Sequence, residues 1–126
     1  VVAVMTYLTY GRHIIVDMWE IDFELLNDLD YLQKHLKTAA EKSHANVLSV
    51  EGKKFDPSGV TILVLLSESH LSIHTYPEKG FAGVDCYTCG KTVDPQIAID
   101  YLISVLKPQK TYAKKLIRGS GIIDIT

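Results

Sequence analysis

Val60-Thr61-Ile62-Leu63-Val64-Leu65-Leu66-Ser67-Glu68-Ser69-His70-Leu71-Ser72-Ile73-His74-Thr75-Tyr76-Pro77-Glu78 decides how this chain is read. Val60 to Ser67 is apolar on both faces, the pattern of a central strand. His70 to Tyr76 alternates instead: Leu71, Ile73 and Thr75 point one way, and His70, Ser72, His74 and Tyr76 the other. Strands joined by so short a connection pair antiparallel. The same stretch gathers serines, two histidines and two carboxylates in what otherwise reads as buried strand. Burying such groups without partners costs roughly 1–3 kcal/mol each. Shape alone does not justify that cost, so the stretch is read as chemistry.

Working outward, Gly11 to Glu20 reads as a strand with His13 and Asp17 on one face. Leu25, Leu29, Leu32, Leu36 and Ala40 recur at helical spacing between Asp22 and Ser43, in one piece or two, with Asp22 or Asn27 as the cap. Asn46 to Phe55 is β-like, and Asp56-Pro57-Ser58-Gly59 is a turn. Phe81 to Thr88 is another strand. Asp94-Pro95 opens a second helix with Ile97, Tyr101 and Val105 as its apolar face and Pro108 just past its end. Lys110 to Ile117 closes the chain as a strand. The order β-α-β-β-β-β-α-β predicts one α+β domain over residues 1–126, a two-layer α/β sandwich: a mainly antiparallel sheet with two helices on one face. The other sheet face carries His13, Asp17 and part of the serine–histidine strand. Half-polar and uncovered, it predicts a homodimer with sheets opposed.

The 126 residues are 47% hydrophobic and 22% charged, ordinary globular composition. A net charge of −2 without a Lys/Arg run leaves no footprint for nucleic acid. The longest apolar run, Val60 to Leu66, is too short to span a bilayer. The opening Val1 to Leu8 lacks the basic region and cleavage site of a signal peptide, so the cytoplasm is expected; Met5 is an alternative start to Val1–Val4. Cys86 and Cys89 lie three apart on a predicted strand and so face opposite sides, unlike a redox pair or half a zinc site. His70 and His74 lie about 13 Å apart on a strand and cannot share an ion; no metal is expected. Ser69 lacks the Gly-x-Ser-x-Gly elbow of a serine hydrolase. His13, His35 and His44 read as satisfied core or interface residues.

The block Ser67-Glu68-Ser69-His70-Leu71-Ser72-Ile73-His74-Thr75-Tyr76-Pro77-Glu78, with Asp85-Cys86-Tyr87-Thr88-Cys89-Gly90 after it, resembles the short bacterial and archaeal S-adenosylmethionine decarboxylases. Gly11-Arg12-His13 and Phe55-x-Pro57-x-Gly59-Val60 match as well, so the similarity runs from residue 11 to 118. The resemblance implies an inactive proenzyme that cuts itself between Glu68 and Ser69, giving chains 1–68 and 69–126. It implies that the Ser69 hydroxyl attacks the Glu68 carbonyl, that His74 removes the Ser69 α-proton, and that Thr61 stands where the family usually has a serine supporting cleavage. The cofactor is then a pyruvoyl group made from Ser69, which forms a Schiff base with S-adenosylmethionine, while Cys89 reprotonates the α-carbon. Phe55 is implied to stack on adenine, reaching the other subunit's site, and Glu78 to grip the ribose hydroxyls. The product is the aminopropyl donor for polyamine synthesis.

The chemistry agrees with that implication. Decarboxylating an α-amino acid leaves a carbanion that needs an electron sink, and the chain has neither a phosphate loop nor a compelling Schiff-base lysine for pyridoxal phosphate. An ordinary thiol carries its proton near neutral pH and can donate it, and Cys86 reads as a small core residue. Two rivals remain at this stage: a processing-dead homologue that binds the nucleoside or regulates a partner, and a pyruvoyl decarboxylase acting on arginine or histidine. Ser69, His74 and Cys89 together favour the enzyme; Phe55 and Glu78 favour the nucleoside substrate.

Overall fold

The computed structural model of the chain describes residues 9–126. Val1–Val4 and the alternative start at Met5 lie outside the described residues. The elements run β1 (Gly11–Trp19), α1 (Phe23–Leu26), α2 (Leu29–Lys42), β2 (Val47–Lys54), β3 (Val60–Leu66), β4 (Ser69–Tyr76), β5 (Phe81–Cys89), α3 (Pro95–Leu106), β6 (Lys110–Arg118) and β7 (Asp124–Ile125). A single 3-10 turn, Pro77–Lys79, joins β4 to β5. The seven strands form one sheet in the order β2-β3-β4-β5-β1-β6-β7, with every neighbouring pair antiparallel. Among the described residues no helix is long and apolar enough to cross a membrane.

The expected order β-α-β-β-β-β-α-β is corrected at two places. The first helical region is two helices broken at Asn27–Asp28, and β7 follows β6. β7 pairs through Leu116–Ile125 and Ile117–Asp124, too short a strand for hydrophobic alternation to announce. Of the two expected caps, Asp22 stands at the N-cap of α1 and Asn27 at its C-cap. Asp28 caps α2, accepting from the Tyr31 N–H at 3.0 Å. Asp22 precedes α1 without a side-chain cap bond, and the Asn27 Oδ1 accepts from the Gly59 N–H at 3.0 Å, tying the helix break to the β2–β3 turn.

α3 starts as its sequence dictates. The Asp94 side chain accepts from the Gln96 N–H at 2.9 Å, and Pro95, which lacks an N–H to satisfy, occupies the first turn. Its buried face is Ala98, Ile99, Leu102 and Leu106, with the expected Tyr101 and Val105 half-buried against the core. Ile97 is exposed, because a helix apolar nearly all round leaves the choice of face to its neighbours.

The core lies between the helices and one sheet face, where Leu32 and Leu36 of α2 and Leu102 of α3 meet Val16, Ile62, Leu71 and Ile73. Each such side chain stabilises the fold by about 1.5–3 kcal/mol through burial. β3 is second from the sheet edge rather than central. Its second apolar row, Leu63 and Leu65, is 53% and 52% exposed on the face no helix covers. That open face also carries His13, Ile15, Asp17, His70, Ser72, His74, Asp85, Tyr87 and Cys89, and all the candidate chemistry lies on it or at its rim.

Candidate active site

One group of residues surrounds the β3–β4 turn. Leu66 pairs with Ser69, so Ser67 and Glu68 alone make the connection. Glu68 adopts φ +59°, a left-handed conformation that costs a non-glycine residue on the order of 1 kcal/mol. The Asn46 carbonyl accepts from the Ser67 N–H at 3.2 Å, and the Asn46 amide donates to the Ser67 hydroxyl at 3.2 Å. Cys89, at the end of β5, brackets the Glu68–Ser69 peptide from both sides. Its N–H donates to the Ser69 Oγ at 3.1 Å, and its Sγ–H donates to the Glu68 carbonyl at 2.9 Å. Gly90, at φ +78°, turns the chain away immediately afterwards, and its N–H is held by the Tyr10 carbonyl at 3.1 Å. Arg12 fastens the same loop by donating to the Val93 carbonyl at 2.5 Å. Both cysteines are free thiols on opposite faces: Cys86 points into the core, where burial first, then the charges of Asp85 and Asp94, push its pKa up to about 12.

A second group lies at the far end of β4. Thr61 pairs with His74 across β3–β4, and the Thr61 Oγ1 and His74 Nδ1 share a 3.2 Å hydrogen bond. The Ser58 hydroxyl donates to Glu78 at 3.4 Å. Phe55, Ser58, Thr61, His74, Tyr76 and Glu78 line an open depression of about 370 Å³, with Phe55 48% exposed at its rim. Ser69 and His74 stand five residues apart on one continuous strand, about 17 Å at strand rise. The structure thus brings Glu68, Ser69 and Cys89 together, and separately Phe55, Thr61, His74 and Glu78, but does not bring His74 to Ser69 within a chain.

Between them sits a cluster that sequence reasoning missed. Asp85 on β5 accepts from His13 Nε2 at 2.7 Å and His70 Nε2 at 2.8 Å through one oxygen, and from the Ser72 hydroxyl through the other. Burial raises the Asp85 pKa, but hydrogen bonds from Ser72, His70 and His13 and the charge of His70 outweigh it and hold the carboxyl below its ordinary value. His70, without a role from sequence, is one leg of this cluster, and His13 is satisfied on both ring nitrogens. The ligand atoms of His13, His70 and Asp85 all lie within 4.8 Å of one another. The outer shell is nevertheless wrong for an ion. The Arg118 guanidinium donates to His13 Nδ1 at 3.2 Å, which puts the ring proton on Nε2, the nitrogen a metal needs bare. The alternation of β5 places Asp85 and Tyr87 on the face of Cys89, and that signal was available; the approach of β1 and β4 to Asp85 depends on register. His35 shares a 2.6 Å hydrogen bond with the Tyr101 hydroxyl between α2 and α3.

Residues 12–119 match the family model described as S-adenosylmethionine decarboxylase. The chain is 66% identical over 121 residues to the S-adenosylmethionine decarboxylase proenzyme of Brevibacillus brevis, covering 96% of this chain and 91% of that one. It is 66% identical over 119 residues to S-adenosylmethionine decarboxylase proenzyme 2 of Bacillus cereus, covering 94% and 97%. The crystal structure of the adenosylmethionine decarboxylase from Aquifex aeolicus superposes with a TM-score of 0.79 at 34% identity, over 90% of this chain and 92% of the other.

Proposed function

The chain belongs to the S-adenosylmethionine decarboxylase family, and on that footing we propose that it cuts itself between Glu68 and Ser69 and decarboxylates S-adenosylmethionine with the pyruvoyl group so formed. The observation that carries this reading is the grip of Cys89 on both sides of the Glu68–Ser69 peptide. The Ser69 Oγ is held for attack on the Glu68 carbonyl carbon, and the Cys89 Sγ–H stands where negative charge collects on the carbonyl oxygen. The C–N bond breaks as the ester forms, and the left-handed strain at Glu68 is released. Removal of the Ser69 α-proton then expels the Glu68 carboxylate, leaving dehydroalanine, which takes up water and releases its nitrogen as ammonia to give the pyruvoyl cap of residues 69–126. The Cys89 N–H and thiol both point at the two oxygens that leave together as the Glu68 carboxylate, beside the Ser69 carbons that would become that group.

The pyruvoyl carbonyl supplies the electron sink that the side chains lack. Cys89 returns a proton to the substrate α-carbon from the same side. Phe55 and Glu78 bind the nucleoside in the depression beside Thr61, through ring stacking and carboxylate–hydroxyl bonds. The product is the aminopropyl donor for polyamine synthesis. His74, as base for the Ser69 α-proton, acts from a second copy of the chain. Two copies laid open face to open face and antiparallel bring the Phe55–Thr61–His74–Glu78 group of one onto the Ser69–Cys89 group of the other. The exposed Ile15, Leu63 and Leu65 give that face the apolar area such a dimer buries.

Intact mass measured under denaturing conditions tests the reading. We expect fragments 1–68 and 69–126, the second lighter than its plain peptide and reactive towards carbonyl reagents. A single 14.1 kDa chain after long incubation overturns it.

A further inference from the structure

Tyr87 connects the central cluster to the Cys89 end and is so far unused. It lies two residues before Cys89 on the same face of β5. Its ring stands 5.3 Å from that of His13, and the Arg118 guanidinium lies over its face at 4.8 Å. The phenol extends over Gly11, the β1 residue paired with Cys89. A Cβ on Gly11 would meet the Tyr87 Oη at 2.7 Å and Cε1 at 2.8 Å. Gly11 has no positive φ that demands glycine, so what the fold uses there is the absent side chain. The seat places the Tyr87 hydroxyl over the β1 residue that pairs with the cysteine. Burial first, then the charge of Cys89 and a hydrogen bond with it, raise the Tyr87 pKa, with Arg118 opposing. A phenol held above its ordinary pKa keeps its proton near neutral pH and can act as a donor.

We propose that Tyr87 is the positioning residue for the Cys89 thiol, its hydroxyl donating a hydrogen bond to the sulfur once Cys89 has given its proton to the substrate α-carbon. The inference rests on Cys89 as the proton donor. The S–H bond breaks as the new C–H bond forms, the sulfur keeps the electron pair, the Tyr87 O–H bond stays intact, and solvent returns a proton to the sulfur. The bare Cα of Gly11 and the guanidinium of Arg118 fix where that hydroxyl stands.

The test is the pH profile of iodoacetamide alkylation of Cys89 in the full chain, where Cys86 is silent because it is buried. We expect Tyr87→Phe to move the profile up by about one pH unit, an alkylation rate about tenfold lower on its acidic limb. Gly11→Ala, whose new Cβ displaces the phenol, should reproduce that shift and serves if the first variant does not fold. In Tyr87→Phe, kcat should fall with KM unchanged while self-cleavage runs to completion. Superimposable alkylation profiles in both variants overturn the proposal. If Cys89→Ala turns over normally, the fault lies in the underlying role of Cys89; if it is inactive and the profiles do not move, Tyr87 alone is wrong.

Discussion

At one end of β4, Ser69 is fixed by a backbone N–H, and the carbonyl before it is capped by a thiol from the neighbouring strand. At the other end His74 is exposed, bonded to Thr61 beside an open depression. The first end is tied by hydrogen bonds between neighbouring strands, and the second lines an open depression. Under the proposed reading, the groups that make the new bond and those that finish the reaction stand the length of a strand apart, and a second copy of the chain would join them.

The largest effect is expected from dividing the site between chains. Ser69→Ala and His74→Ala should each remain uncleaved alone. Mixed and allowed to exchange, they should yield fragments 1–68 and 69–126 from the His74→Ala chain, whose intact Ser69 meets the partner's intact histidine. A mixture that stays uncleaved on denaturing gels contradicts the antiparallel dimer. Next in size, Cys89→Ala should slow self-cleavage by about 10²-fold, the cost of one lost donor to a developing oxyanion. Turnover should fall further, because the thiol also serves the second reaction; a time course of cleavage beside CO2 release separates the two.

The smallest effect concerns the cluster between the ends. The Asp85 carboxyl titrates below its ordinary value of 3.8 in the folded chain. Its stabilising contribution is therefore complete above that value and is lost as pH falls through the lower folded pKa. The difference in urea midpoint between the wild type and Asp85→Asn should shrink as pH drops from 5 to 2. A constant difference across that range removes the ionised carboxylate from the stability of the open face.

Much of this was legible before the structure. The alternation of His70 to Tyr76 put His74 and Tyr76 on one face, and Asp94-Pro95 announced its helix, because both signals are local. The residues tied to the cut were read through a specific motif block. What escaped was set by distance along the chain. His13, His70 and Asp85 come from three strands, and their meeting depends on the register of β1 and β4 against β5. Asp28 displaced Asn27 as the cap because Gly59, far along the sequence, claims the Asn27 side chain. The grip of Cys89 on Glu68 is likewise a cross-strand contact that a spacing of residues does not reveal.

The strand order carries one more consequence. A cut after Glu68 leaves β1, β2 and β3 on one peptide and β4 to β7 on the other, yet the sheet runs β2-β3-β4-β5-β1-β6-β7. The pieces are interleaved: β1 of the first is clasped between β5 and β6 of the second, while β3 of the first lies along β4. Parting them means tearing open the hydrogen-bonded borders on both sides of β1 as well as the one at the cut. A protein cut there would gain two new chain ends without becoming a dissociable pair, because dilution that separates ordinary subunits would leave these two peptides laced into one sheet.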